Sequence, residues 1–308
     1  MSEKTFKEYT HEQGESYATG RPGYSPKLFR TIVDHHAATG GKLDLVVDVG
    51  CGTGQATRDL APFFTHALGL DASEGMINSA RASVKSSASA PRFEVSAAEV
   101  LGTDLERPIL ENSVDLLTAA TAAHWFDMDG FWHRAARVLK PGGTVALWAR
   151  TRAAVNPVKT PNGLAIQAAM DKIVDEEVHP YAVVGNALTR FFYVDLVLPW
   201  TLDPPVAEFQ EDTFYRREWN KQLDGAEPDD MGTSRMVTVK QFEMAMATSS
   251  SVTRWRQANP EKVGTEEDVV RKMGRQMEGL LHEAGVKAGE EMVYGEVAIV
   301  LLMVKKRL

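Results

Sequence analysis

The chain has 308 residues, 44% apolar and 25% charged, with a formal net charge of −8. That is the composition of an ordinary globular chain, long enough to bury a core without disulfides or metal staples. It has no concentrated Lys/Arg patch of the kind a duplex nucleic acid requires, so a small molecule is the better substrate expectation. The single cysteine, Cys51, excludes an intramolecular disulfide and suits a reducing compartment. The polar start, Met1 to Glu8, does not read as a signal peptide, and the longest apolar run, Val297 to Val304, is too short to span a bilayer. Lys306-Arg307-Leu308 is a poor peroxisomal tail because Lys stands first. We expect a cytoplasmic chain with neither membrane nor nucleic acid as partner, monomeric or homodimeric.

In chain order, the first 40 residues are mostly polar, with a helical pattern at Leu28, Ile32 and Val33 closed by Gly40-Gly41. Leu43 to Asp48 reads as a buried strand, 55–63 as a helix, His66 to Leu70 as a second strand and Ser73 to Ser83 as a helix. Pro91 to Val95 and Val114 to Thr118 give strands three and four. Asp129 to Leu139 gives a helix, and Thr144 to Trp148, after Pro141-Gly142-Gly143, a fifth strand. This alternation implies a parallel sheet covered on both faces. After Arg150 the rhythm breaks. Residues 151–162 are turn-rich, Leu164 to Val178 is helical, Glu208 to Trp219 reads as a strand and 221–235 as a polar loop. Helices are expected at 239–248 and 265–284, and the chain closes on a strand, Val293 to Lys305.

The sharpest local signal is Val47-Asp48-Val49-Gly50-Cys51-Gly52-Thr53-Gly54, between a strand and a helix. Its glycines permit positive φ and let a nucleotide-like ligand lie against the main chain at the carboxyl end of the first strand. Asp71 ends the second strand, where a carboxylate can meet the ribose hydroxyls of an adenosine ligand. Dinucleotide enzymes prefer G-x-G-x-x-G around a phosphate. Here the spacing is G-x-G-x-G, and the preceding Asp48 would repel a pyrophosphate but organise water and the ammonium of a methionine moiety. An NAD-dependent oxidoreductase is therefore the weaker enzyme alternative.

Together, Asp48 to Gly54, Gly69-Leu70-Asp71 and Arg137-Val-Leu-Lys-Pro-Gly-Gly143 resemble class I S-adenosylmethionine methyltransferases over about residues 40–150. A narrower resemblance is to the fungal and bacterial trans-aconitate methyltransferase-like group. It rests on Tyr17 to Tyr24, Gly54-Gln55-Ala56-Thr57, Ala122 to Asp127, Trp148-Ala149-Arg150 and Thr248 to Trp255. The resemblance implies that Gly50, Gly52 and Gly54 approach the methionine part of the donor, that Asp71 binds ribose and that Met76 packs on adenine. Many relatives carry Asp where this chain has Ala97, so the adenine amino group is expected to meet backbone near Ala98, or Glu99. Tyr17, Arg21 and Tyr24 would belong to an amino-terminal segment folding over the donor. The implied cofactor is S-adenosyl-L-methionine, with S-adenosyl-L-homocysteine as product.

The fold expected is α/β: a doubly wound, Rossmann-like, mostly parallel sheet of seven strands, the last antiparallel, with a helical cap inserted after strand five. Its parts would be a helical lid at 1–40, the donor-binding core at 41–150, and a largely helical cap at 151–265 containing one core strand. A helix and strand at 266–308 would complete the core. Methyl transfer is an in-line displacement, and a carboxylate acceptor needs no base whereas a hydroxyl or ammonium does. His124, after the fourth strand, is the candidate catalytic residue, as base or as hydrogen-bond donor. Trp125 could wall the pocket, Arg21 pair with an anion, and Tyr24, Arg150, Ser250 and Trp255 bind the acceptor. His35, His36 and His179 lack partners at ligand spacing, so no metal is proposed. The acceptor is expected to be a carboxylate of an organic acid. The alternatives are O-, N- or S-methylation of a secondary metabolite, or a non-catalytic regulatory protein that only binds the donor.

Overall fold

The computed structural model describes residues 14, 20, 21, 23–84, 90–222, 231 and 233–308. Tyr17 and 19 of the 40 residues of the expected lid lie outside the described residues. The first described helix, α1 (Pro26–Ala38), starts where the sequence supplies a cap: Ser25 accepts from the Lys27 N–H and Pro26 occupies the first turn. Leu28, Phe29, Ile32 and Val33 fall on one face of it and are buried among Val46, Leu116, Trp148 and Leu301 of the sheet. His36 fixes the far end of this helix, sharing a hydrogen bond with the Thr144 hydroxyl (2.7 Å) and donating to the Lys42 carbonyl (2.8 Å). α1 thus forms part of the layer over one face of the sheet.

The alternating core follows: β1 (Leu45–Val49), α2 (Gln55–Leu60), β2 (His66–Asp71), α3 (Glu74–Ala82), β3 (Arg92–Val95), β4 (Val114–Ala120), α4 (Met128–Val138) and β5 (Leu139–Val155). β1 pairs in parallel with β2 and β4, β2 with β3, and β4 with β5. Strands β1 and β4 are almost wholly buried, because helices cover both faces. On α4, Phe131 and Trp132 have no exposed surface, and the Trp132 indole N–H donates to the Val197 carbonyl at 2.9 Å. Burying each of these rings contributes about 2–3 kcal/mol, so α4 pins the segment around Val197 to the core.

β5 runs well past the expected Trp148. After a register shift between Arg150 and Ala153 it continues to Val155, still paired with the final strand, β8 (Met292–Lys305). Between them lie α5 (Gly163–Ile173), α6 (Val184–Arg190), β6 (Tyr215–Trp219), β7 (Ser234–Thr238), α7 (Val239–Met246), α8 (Ser250–Ala258) and α9 (Val269–Glu283). The sheet order is β3-β2-β1-β4-β5-β8-β6, with β7 also on β8, giving eight strands where seven were expected. β5, β6 and β7 all run antiparallel to β8. The additional strand, β7, falls at the end of a stretch read as polar loop; it exists because the first half of β8 offers it a ladder from Glu296 to Met292. The helices after β5 make their own core, in which Ile166, Val252, Trp255, Met273, Met277 and Leu281 meet Val155 and Val293 of the two long strands.

Candidate functional site

The carboxyl ends of β1, β2 and β4 open on one cavity of about 1050 Å³, its mouth included. Such strand ends, where the order reverses from β1 to β4, are where open α/β sheets take ligands. The wall is made by Gly50 to Thr53, Asp71, Met76, Ser96 to Glu99, Ala120 to Ala122, Trp125 and Phe126, with Arg21, Tyr24 and Gln55 at its amino-terminal side. Gly50 has φ of +65°, and a Cβ there would sit 2.6 Å from the Ala122 side chain. No residue with a side chain fits, and the bare backbone is left facing the cavity.

Asp71 shapes this turn. One carboxylate oxygen accepts from the Gly52 N–H and the other from the Ser73 N–H, both at 2.8 Å. The carboxylate is thereby aimed at the cavity from the end of β2 while it ties the glycine turn to the next strand. Met76 (3% exposed) and Ala98 (7% exposed) supply apolar wall beside it. Glu99 also lines the cavity, and its Oε1 accepts from the Asp127 N–H at 2.9 Å. Cys51 belongs to the wall, but its thiol lies behind the turn near Gly69 and Phe93, where burial, with Asp71 nearby, pushes its pKa well up, so it stays protonated. A bare-backbone turn, a carboxylate at the end of the second strand and an apolar slot could together accommodate an adenosine ligand carrying an amino-acid tail.

Two residues of the glycine block face elsewhere. Asp48 has no exposed surface: one carboxylate oxygen accepts from the Thr57 hydroxyl (2.7 Å) and the other from the Thr118 hydroxyl (2.8 Å). It braces α2 and β4 behind the turn, and burial lifts its pKa to about 6. Gly54, with φ of +79°, starts α2, and a Cβ there would come within 2.6 Å of the Phe93 ring. Its glycine is required by packing against β3 and it does not line the cavity.

The acceptor candidates divide in the same way. Trp125 lines the cavity, with the His124 ring packed on it at 4.3 Å between centroids. His124 stands one step behind the wall; its Nδ1 pairs with the Tyr193 hydroxyl at 2.8 Å. Burial, with the positive charge of Arg21 adding to it, draws the His124 pKa down to about 3, so the ring is neutral at physiological pH. Tyr24 hydrogen-bonds Thr121 (2.8 Å) and packs edge-on against Phe29 and Trp148. Arg150 lies over the Tyr24 ring at 4.5 Å and donates to the Gly23 carbonyl, so it fastens the chain entering α1 to β5. Ser250 and Trp255 lie in the later helices: Ser250 accepts from the Asn186 amide (2.9 Å), and Trp255, 3% exposed, is in the core of that layer.

Sequence reasoning missed two members of this group. Thr121, in the cavity wall, has φ of +54°. For a β-branched residue that is a true outlier, costing about 1–3 kcal/mol, and such strain persists where surrounding contacts over-determine it. Here the Trp148 carbonyl, the Tyr24 hydroxyl and the Arg150 N–H do so. Tyr193 follows α6, and both it and Phe192 adopt positive φ. The aromatic run Phe191-Phe192-Tyr193 was the one available sign of it; Thr121 had none.

Residues 47–147, the segment that builds most of the cavity, match the family model described as a methyltransferase domain. A Dictyostelium discoideum protein assigned as a methyltransferase is 37% identical over 134 residues, 44% of this chain and 46% of that protein. A Saccharomyces cerevisiae protein assigned as an S-adenosylmethionine-dependent methyltransferase is 32% identical over 142 residues, 46% of this chain and 47% of its own length. The chain thus spans about half the length of the curated relatives it matches. Among solved structures, one from Anaeromyxobacter dehalogenans, assigned as a type II methyltransferase, shares the fold at a TM-score of 0.61. Its identity is 23%, covering 93% of this chain and 97% of that one. The match over residues 47–147 is thus to a methyltransferase domain, on a sheet that shares the fold of the Anaeromyxobacter structure. Among the described residues no helix is long and apolar enough to cross a membrane.

Proposed function

We propose that the chain is an S-adenosylmethionine-dependent methyltransferase acting on a carboxylate of a small organic acid, in keeping with its resemblance to the trans-aconitate methyltransferase-like group. The observation that carries the donor half is the glycine turn clamped by Asp71 at the mouth of the cavity. When bound, S-adenosylmethionine supplies a methyl group on a sulfonium that is already activated to leave. The main chain at Gly50 and Gly52 would take the methionine part, Asp71 the ribose hydroxyls, and Met76 and Ala98 the faces of the adenine.

Support for the acid acceptor comes from the electrostatics around His124. A histidine held near pKa 3 is a feeble base at neutral pH, so an acceptor that must lose a proton is poorly served. A carboxylate oxygen arrives already deprotonated, and Arg21 brings positive charge to the cavity wall. The task left to the chain is alignment and exclusion of water. Incubation with isotopically labelled donor and a metabolite extract, followed by mass analysis, tests the reading. Methyl esters of acids are the expected products; label appearing only on amines or phenols would replace the acid with a different acceptor.

A further inference from the structure

We propose that Tyr193 is a positioning residue for the acceptor: its hydroxyl donates to His124 Nδ1, fixes the Nε2–H tautomer, and makes His124 a hydrogen-bond donor that favours an acceptor oxygen bearing lone pairs. The inference rests on the methyltransferase reading and gives its acceptor side a mechanism. The contact spans 69 residues of sequence, at 2.8 Å, and Tyr193 is 1% exposed. A buried phenol proton needs an acceptor, Nδ1 is the group at hydrogen-bond distance from it, and a neutral ring that accepts at Nδ1 carries its own proton on Nε2.

The backbone is built to deliver this hydroxyl. α6 ends with the Phe192 N–H on the Thr189 carbonyl (3.1 Å) and the Tyr193 N–H on the Leu188 carbonyl (2.8 Å). Such a helix end usually takes glycine at the left-handed position. Here Phe192 and Tyr193 both hold positive φ, +57° and +56°. At the other end of α6, a Cβ on Gly185 would come within 2.5 Å of the Trp125 ring and 2.8 Å of the His124 carbonyl. The helix is thus seated directly on the 123–125 turn, and its two ends hold Trp125 and His124 in place. The charged and titratable groups acting on the pair are Arg21, on His124, and Tyr24, on Tyr193.

The test is nitrogen-15 NMR of the full chain labelled at its histidines, with His124→Gln identifying the His124 signal. In the wild type we expect a single Nε2–H tautomer, unchanged from pH 5.5 to 8. In Tyr193→Phe the tautomers should mix, while affinity for S-adenosylhomocysteine by calorimetry stays within about twofold of wild type. A wild-type Nδ1–H tautomer, or a His124 tautomer indifferent to Tyr193→Phe, overturns the proposal. Should Tyr193→Phe fail to fold, the wild-type tautomer alone decides it. Absence of S-adenosylhomocysteine binding by the wild type would instead overturn the methyltransferase reading, so the two failures are separable.

Discussion

The donor side and the acceptor side of the cavity are built by different means. The donor side is local: Gly50, Gly52 and Asp71 come from two adjacent parallel strands, and the key contact is a carboxylate on a main-chain N–H. The acceptor side is assembled from afar. Tyr24 meets Thr121 across 97 residues, Arg150 reaches back to Gly23 across 127, and Tyr193 meets His124 across 69. A backbone-built site tolerates no side chain but asks little of the rest of the molecule. A site built from side chains on four segments can be retuned by changing any one of them, which suits a fold that serves many acceptors with one donor.

The comparison can be broken most severely at Gly50. Because φ is +65° and a Cβ would lie 2.6 Å from Ala122, Gly50→Ala should cost roughly 2–4 kcal/mol of stability and abolish S-adenosylhomocysteine binding. Gly52→Ala, which meets nothing within 4 Å and carries only the positive φ, should cost about 1 kcal/mol. Urea unfolding with calorimetry reads both; equal effects would mean that the Ala122 contact does not matter.

Asp48 gives a pH-dependent prediction on the donor side. Its folded pKa, about 6, lies above the ordinary 3.8, so the folded state holds the proton more tightly than the unfolded one. The stabilising contribution is complete below about pH 4 and is lost as pH rises through about 6, a swing on the order of 3 kcal/mol. Asp48→Asn should therefore raise Tm relative to wild type at pH 8 and lose that advantage by pH 4. A constant difference at both pH values would contradict the burial argument.

Asp71→Ala should weaken S-adenosylhomocysteine binding by roughly 1–3 kcal/mol, because a charged acceptor for ribose and the clamp on the Gly52 N–H vanish together. An unchanged Kd would remove Asp71 from the site. The smallest effect is expected on the acceptor side. His124→Gln should raise the acceptor KM about tenfold with kcat nearly kept, since a hydrogen-bond donor remains. The rate should show no rising limb near pH 6.5, because His124 is already neutral there. A kcat loss of about a hundredfold or more would make His124 a base after all.

The same contrast explains what the sequence disclosed. The alternation of β1 to β5 with helices, the glycine turn and Asp71 were legible because each is encoded within a dozen residues. Strand β7 was not, since Ser234 to Thr238 becomes a strand only by pairing with β8, far along the chain. Asp48 and Gly54 were legible as part of a motif, but their motif neighbours concealed their roles: one braces Thr57 and Thr118, the other makes room for Phe93. Thr121 owes its place to a positive φ held by contacts distant in sequence, and Tyr193 to a left-handed helix end whose hydroxyl meets His124 far back in the chain; no local pattern reports either.

The central claim is that the clamped glycine turn holds S-adenosylmethionine. Calorimetric titration of the wild-type chain with S-adenosylhomocysteine, and separately with NAD, tests it most directly. The account predicts saturable one-to-one binding of S-adenosylhomocysteine and none of NAD at the same concentrations. Binding of NAD with comparable affinity, or no binding of S-adenosylhomocysteine, would contradict it.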